Sequence, residues 1–282
     1  MGSIACFPLV DQRASPPRPG NQRPSPERQE ASPAAETTPA PSASPPLHTV
    51  QVPILEYHYI RTNPDPRDRL GFQLSVTPAD FQAQMQWLAA DGYQAVTVSD
   101  LRAALSGQRS LPANAVVLTF DDGYEDFFQA AYPVLETYHL RSVSYVVPGF
   151  FGRQGYLTPA QIVQLDQSGL VEIASHTMTH PDLTRLDSAS LAVQLQASRA
   201  TLEQLLGHPV QDFCYPSGRF NARVVAAVAA AGYESAATER PGTQHAWSDR
   251  LTWSRVRIRG GETLPQFIRS LGPAGPREKP SV

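Results

Sequence analysis

Four short stretches of this 282-residue chain put ionisable side chains where they can do chemistry. Asp121-Asp122-Gly123 follows the β-rich run Ala115–Phe120. Successive strand residues point to opposite faces, so such a pair can divide two jobs, one carboxylate on a metal and the other free as a base. Asp-Gly is also ordinary turn chemistry, and the pair alone leaves both readings open. His176-Thr177-Met178-Thr179-His180 brings two imidazoles within reach of one cation. Pro181 biases His180 away from helical geometry, so the pair belongs on a tight turn or a single irregular turn. Two histidines and a carboxylate, here with Asp122, match a metal site that keeps positions open for water and substrate. Tyr57-His58 and Pro216-Ser217-Gly218 each follow a further apolar run. His58 is either a satisfied structural residue or part of the same site. His48, His139, His208 and His245 are assigned no chemistry.

Elements to position these residues are readable around them. Val50–Glu56, Tyr93–Val98, Ala115–Phe120, Ser142–Val147, Leu170–Ala174, Asp212–Tyr215, Tyr233–Thr238 and Arg255–Ile258 read as strands. Between them lie helical patterns. Thr77-Pro78-Ala79-Asp80 and Thr158-Pro159-Ala160-Gln161 each present a capping threonine followed by proline at the first helical position. Phe81, Met85 and Leu88 form the apolar face of the first of these helices, and Gly92 ends it. Further helices are expected near Ser99–Leu105, Tyr124–His139, Ala189–Leu206, Ala222–Ala231 and Leu264–Leu271. Apolar strands separated by helices imply a parallel sheet covered on both faces. No dinucleotide-type glycine fingerprint follows any strand, which favours an α/β fold of the (β/α) barrel type over an open doubly wound sheet. In either fold ligands sit at the carboxyl ends of the strands, where all four stretches fall.

Composition narrows the function. Hydrophobic residues at 41% and charged residues at 17% exclude a wholly disordered chain and a coiled coil. No run approaches the roughly 18 apolar residues of a membrane span. A net charge of −3 offers no basic footprint for nucleic acid. The single lysine, Lys279, lies near the end, so the body of the chain has no group for Schiff-base chemistry or a P-loop. Cys6 and Cys214 lie in unlike contexts and suggest no disulfide framework. Proline crowds the segment between Ala14 and Pro46, and no aromatic residue occurs between Phe7 and Tyr57. Residues 1–48 therefore read as a disordered, proline-rich linker, 49–271 as one domain and 272–282 as a flexible tail. The start lacks the charged region and full apolar stretch of a signal peptide, although Ile4-Ala5-Cys6 resembles the end of a lipoprotein signal. A spacer of this kind is compatible with a membrane or cell-wall tether, or with a plain disordered start.

Thr119-Phe120-Asp121-Asp122-Gly123, with Ser175-His176-Thr177-Met178-Thr179-His180 downstream, resembles the first two motifs of the polysaccharide deacetylases, the NodB-homology group or carbohydrate esterase family 4. Phe213-Cys214-Tyr215-Pro216-Ser217-Gly218 is similar to the third, and the resemblance spans most of Val52 to Leu271. It implies a distorted (β/α) barrel that hydrolyses acetyl groups from N-acetylglucosamine residues of a polysaccharide, outside the cell or attached to its envelope. It implies Asp121 as general base and a divalent metal, zinc or else cobalt or nickel, on Asp122, His176 and His180. Three departures qualify it. Ser217 stands where the family usually has tyrosine, though its backbone N–H can still face the acetyl oxygen, and with Tyr215 it marks the expected substrate side. The arginine expected just before the third motif is absent, and Arg255 is a candidate substitute, grouped with Ser217 and Tyr215 on the expected oxyanion and substrate side. Leu264-Pro265-Gln266-Phe267-Ile268 has no histidine to serve as general acid. Exported poly-N-acetylglucosamine deacetylases resemble this chain better there, because they carry a histidine after the first strand, as Glu56-Tyr57-His58-Tyr59 does.

Two other readings stay open: an esterase for O-acetyl groups, as on xylan, and an inactive carbohydrate-binding domain. Phe150, Phe151, Tyr156, Trp247 and Trp253 are candidate stacking faces for sugar, and the polar Arg61–Val76 segment is expected to shape a groove or to be a surface insertion.

Overall fold

A computed structural model describes residues 49–65 and 67–272. The linker with Cys6, and the tail from residue 273 on, lie outside the described residues. Eight parallel strands form one sheet, in the order Ile54–Tyr57, Trp253–Arg257, Ser235–Pro241, Asp212–Cys214, Val171–Ser175, Ser142–Val146, Ala115–Phe120, Gln94–Val96. Ile54–Tyr57 also pairs with the second half of Ala115–Phe120, from Ile54↔Val117 to Tyr57↔Phe120, which closes a ring. Gln94–Val96 pairs with the first half, from Ala115 to Val117, and stands outside that ring. The barrel thus has seven strands, as the alternation of elements predicts in kind.

The alternation of side chains sorts the barrel into an inside and an outside. Ile54, Val117, Val143, Tyr145, Ala174, Cys214, Ala237 and Trp253 share the interior cluster. Leu55, Tyr57, Val116, Leu118 and Phe120 face outward and pack with helix residues Phe81, Met85 and Leu88. Those three are the predicted face of the Pro78–Ala90 helix, capped by Thr77, whose side chain accepts from Asp80 N–H. The Pro159–Gln167 helix carries the predicted capping box between Thr158 and Gln161.

Several boundaries differ from the sequence reading. The expected Val50–Glu56 strand divides: Val50–Gln51 pairs antiparallel with Gln244–His245, and Ile54–Tyr57 joins the barrel. Proline at position 53, which has no N–H to donate, lies at the break. The expected helix Tyr124–His139 is a π-turn over Phe127–Ala131 followed by an α-helix, Tyr132–Thr137. Pro133 has no N–H for the α-ladder, and the wider turn precedes it. The last strand is Trp253–Arg257, not Arg255–Ile258, so Arg255 sits in its middle with its side chain toward the barrel axis. The Arg61–Val76 segment is not a plain loop: it holds a short helix, Arg69–Leu74, and returns as Ser75–Val76 to pair with Tyr59–Ile60. His245 is buried, and its Nε2 meets the Val52 carbonyl at 2.9 Å, a structural role in keeping with its exclusion from chemistry.

Candidate active site

Inward parity carries Thr119 and then Asp121 toward the barrel axis at the carboxyl end of Ala115–Phe120. Asp122 then leaves the strand pattern, because its φ of 74° and that of Gly123 at 72° turn the chain sharply. Asp122 Oδ1 comes to 3.5 Å from His176 Nε2 and 3.3 Å from His180 Nε2. Ligand-capable atoms of the three residues all lie within 4.8 Å of one another.

The histidine turn is braced from two sides. Thr179 N–H donates to Gln194 Oε1 at 2.9 Å and Met178 N–H to the Gln194 carbonyl at 3.2 Å, tying the turn to the Ser188–Leu206 helix. Gly149 N–H donates to the Met178 carbonyl at 2.9 Å; a Cβ at Gly149 would stand 2.4 Å from that oxygen, so only glycine fits. Thr177 and His180 both adopt left-handed backbone, with φ of 67° and 57°. Of the five non-glycine residues in that region among those described, four are Asp122, Thr177, His180 and Ser217. Backbone strain is thus concentrated at one mouth of the barrel, as at sites where geometry is imposed for function.

The donor set suits a divalent cation. His176 Nδ1 lies 2.8 Å from the Cys214 carbonyl, which can only accept, so Nδ1 bears the proton and Nε2 is left with its lone pair facing Asp122. Burial pushes the His176 imidazole down to about 4, against the pull of Asp121 and Asp122, so it is neutral as a ligand must be. One carboxylate and two imidazole nitrogens leave coordination positions open.

Asp121 is held apart from this set. Arg255 grips it with both ends of its fork, Nη1 to Oδ1 at 2.8 Å and Nη2 to Oδ2 at 2.7 Å. The same guanidinium donates from Nε to the Thr238 carbonyl at 2.8 Å, where the sheet register shifts between Ala237 and Pro241. Burial alone raises the Asp121 carboxyl; the Arg255 charge and hydrogen bonds more than offset it and hold Asp121 well below the usual carboxylate range. Arg255 Nη2 also reaches the Sγ of Cys214, within the third-motif stretch, at 3.2 Å. The candidate substitute, Arg255, thus reaches Asp121 from the last barrel strand. It does not contact an oxyanion, since its side chain is fully buried and its donors are taken.

His58, Asp121, Asp122, His176, His180 and Ser217 line one cavity of about 300 Å³, with Tyr124, Leu70 and Leu74 on its walls. The short helix of the Arg61–Val76 segment thus does shape the groove. His58 Nε2 lies 4.0 Å from Asp121 Oδ2. Tyr215 is a correction: its side chain faces outward into a helix-packed cluster, its hydroxyl donates to the Leu251 carbonyl at 2.9 Å and its N–H to the Ala237 carbonyl at 3.1 Å. It contributes nothing to the cavity, because strand alternation puts Cys214 inside and Tyr215 outside. Among the proposed stacking residues, Trp253 is core, Phe151 packs on the outer core and Trp247 lies under Arg250. Phe150 and Tyr156 are linked by ring contacts to Tyr124 at the cavity wall.

A relative from Bacillus subtilis described as a putative polysaccharide deacetylase is 30% identical over 217 residues, covering 77% of this chain and 75% of its own. The chain belongs to the polysaccharide deacetylases. The family's sequence profile matches residues 108–236 of the deacetylase, which include Asp121, Asp122, His176, His180 and Ser217. A Streptococcus pyogenes deacetylase solved with acetate superposes with a TM-score of 0.73 at 27% identity, covering 79% of this deacetylase and 99% of that chain. A polysaccharide deacetylase of Bacillus cereus gives 0.70 at 28% identity, covering 79% and 69%. The poly-β-1,6-N-acetyl-D-glucosamine N-deacetylase of Escherichia coli is 35% identical over 119 residues, which span 37% of this chain and 18% of that protein.

Two charged residues packed around the site escaped the sequence reading, Arg257 on the cavity wall and Glu56 behind it. Glu56 and Arg257 sit on adjacent strands in register and pair, Arg257 Nε to Glu56 Oε1 at 2.7 Å. The available signal was a carboxylate in an otherwise apolar strand, Ile54-Leu55-Glu56-Tyr57, which can be buried only with a partner.

Proposed function

We propose that this deacetylase removes acetyl groups from N-acetylglucosamine residues of a polysaccharide by amide hydrolysis, with zinc as the fitting cation and the work done outside the cell, where such polymers are found. The observation that carries the proposal is the division of labour between adjacent carboxylates: Asp122 joins His176 and His180, while Asp121 is withheld by Arg255 and opens to the same cavity. The E. coli relative named for poly-β-1,6-N-acetyl-D-glucosamine N-deacetylation supports the choice of bond and sugar.

Asp122, His176 and His180 would hold the cation, which when bound supplies Lewis acidity that polarises the amide carbonyl and acidifies water, so that a base as weak as Asp121 suffices. Asp121 stays ionised, lines the cavity and receives the proton of the attacking water. Ser217 lines the cavity, and its backbone N–H would serve as the oxyanion donor; one such donor is typically worth about 3 kcal/mol. His58 gives a proton to the leaving amine, which must depart as a neutral amine rather than an anion.

The test is acetate release by the zinc-loaded chain from β-1,6- and β-1,4-linked N-acetylglucosamine oligomers, peptidoglycan and acetylated xylan. Release from an amide substrate is expected. Release from xylan alone would replace the amide reading by an O-acetyl esterase, and binding without release would leave a carbohydrate-binding domain.

A further inference from the structure

Glu56 is fully buried, yet nothing in the proposed reaction uses it. Strand parity sends it inward with Ile54, and two residues later the chain delivers His58 beside it. His58 lies between two carboxylates: Nδ1 is 3.9 Å from Glu56 Oε1 and Nε2 is 4.0 Å from Asp121 Oδ2. Arg257 pairs with Oε1 of Glu56, with Nη2 at 2.6 Å. Oε2 lies 3.4 Å from Arg255 Nη2 but accepts no hydrogen bond among the described residues. The Glu56 oxygen nearest the imidazole is thus the one Arg257 holds, while its second oxygen keeps an unused acceptor in the same buried carboxylate; a buried carboxylate beside an imidazole nitrogen is a group that can orient a histidine.

We propose that Glu56 is the positioning residue of His58, holding its Nδ1–H so that the proton delivered to the leaving amine comes from Nε2. This rests on the reading of His58 as the proton donor. The present separation is longer than a hydrogen bond, and such contacts commonly tighten when substrate fills a site. In the step itself the C–N bond breaks, its electron pair stays with nitrogen, and the Nε2 proton of the imidazolium bonds to that pair. The imidazole is left neutral with its proton on Nδ1, facing Glu56. Glu56 takes no proton. The arginines fix Glu56 in turn: Arg257 holds one oxygen, and Arg255 ties it electrostatically to the strand that also anchors Asp121.

A purely structural Glu56 would serve only to balance Arg255 and Arg257, and the two roles give different results. Glu56→Gln keeps the shape and removes the charge. On an N-acetylglucosamine oligomer it is expected to lower kcat by about 10–100-fold, the usual effect of removing an outer partner, with KM little changed. On 4-nitrophenyl acetate, whose leaving group needs no proton, turnover is expected to stay near the wild-type rate. Glu56→Asp should recover part of the loss. Adding Glu56→Gln to His58→Ala should cost nothing more, because the two act as one unit. Equal losses on amide and aryl ester, or additive losses in the double variant, would overturn the proposal. Should Glu56→Gln fail to fold, nitrogen NMR of the zinc-loaded wild-type chain decides: neutral His58 is expected to carry its proton on Nδ1, and a proton on Nε2 would overturn the assignment. Lack of amide hydrolysis by the wild type would instead sink the proposed function, an outcome distinct from either.

Discussion

Arg255 and Asp121 form a two-pronged ion pair, 2.8 and 2.7 Å, between strands that meet only because the barrel closes. They are 134 residues apart in the chain. The pair decides which of two adjacent aspartates is available to a cation, since Asp121 has both oxygens engaged by arginine and Asp122 does not. It also keeps Asp121 ionised inside a barrel whose other inward side chains are largely apolar.

Replacing Arg255 by methionine leaves Asp121 and Glu56 as buried charges short of a partner. Unfolding in urea should show a loss of about 3–5 kcal/mol, the range for breaking a buried pair from one side. Arg255→Lys keeps a charge but cannot span both oxygens of Asp121 and the Thr238 carbonyl. Burial then lifts the Asp121 carboxyl, so the acidic limb of the kcat/KM profile should move to higher pH. An unmoved limb would separate Asp121 from the pH dependence.

Asp121→Asn should retain the cation, measured by metal analysis of the dialysed protein, and lose about 10²–10⁴-fold in turnover. Acetate release at the wild-type rate would remove Asp121 from the base role.

The same substitution tests stability against pH. The folded value of Asp121 is depressed by Arg255, so its contribution is fully present above the ordinary carboxylate range and is lost as pH falls toward the lower folded value. In the wild type, stability should therefore decline with acid below about pH 4, the ordinary aspartate value. The part of that slope due to this residue should be missing from Asp121→Asn in parallel urea titrations at pH 2 to 5.

Gly149→Ala introduces a methyl group 2.4 Å from the Met178 carbonyl and must displace the turn that carries His176 and His180. Zinc affinity should fall by about 10–100-fold. Circular dichroism should show the barrel intact, because Gly149 lies in a 3₁₀ turn outside the strands. Unchanged zinc titration would mean that the turn is free to shift without moving the ligands.

Chelation followed by zinc return should lower and then restore the melting temperature, by the linkage between ligand binding and folding. In His180→Ala the restored increment should shrink, since one of the three donors is gone. A chelator-insensitive melting temperature in the wild type would argue against a bound cation.

Much of this protein is written locally. Asp121, Asp122, His176 and His180 stand directly after strands whose apolar runs are unmistakable, and the threonine caps and proline starts mark two helices to the residue. Those features depend on near neighbours and on the periodicity of a strand or helix, so they survive in a one-dimensional reading. Where the expected boundaries miss, the cause is a partner far along the chain: Trp253–Arg257 begins two residues early because it has Ser235–Pro241 and Ile54–Tyr57 to pair with.

Ring closure decided the rest. It brought Arg255 onto Asp121 and beside Cys214, so that Asp121 meets its arginine from another strand. It set Glu56 between two arginines and next to His58. It decided which side of the alternating Asp212–Cys214 strand is the inside, leaving Cys214 in and Tyr215 out against the helices. The arginine contacts among these join residues from 41 to 201 positions apart. Side-chain type says that a buried charge needs a partner, but only the folded geometry says which one it meets.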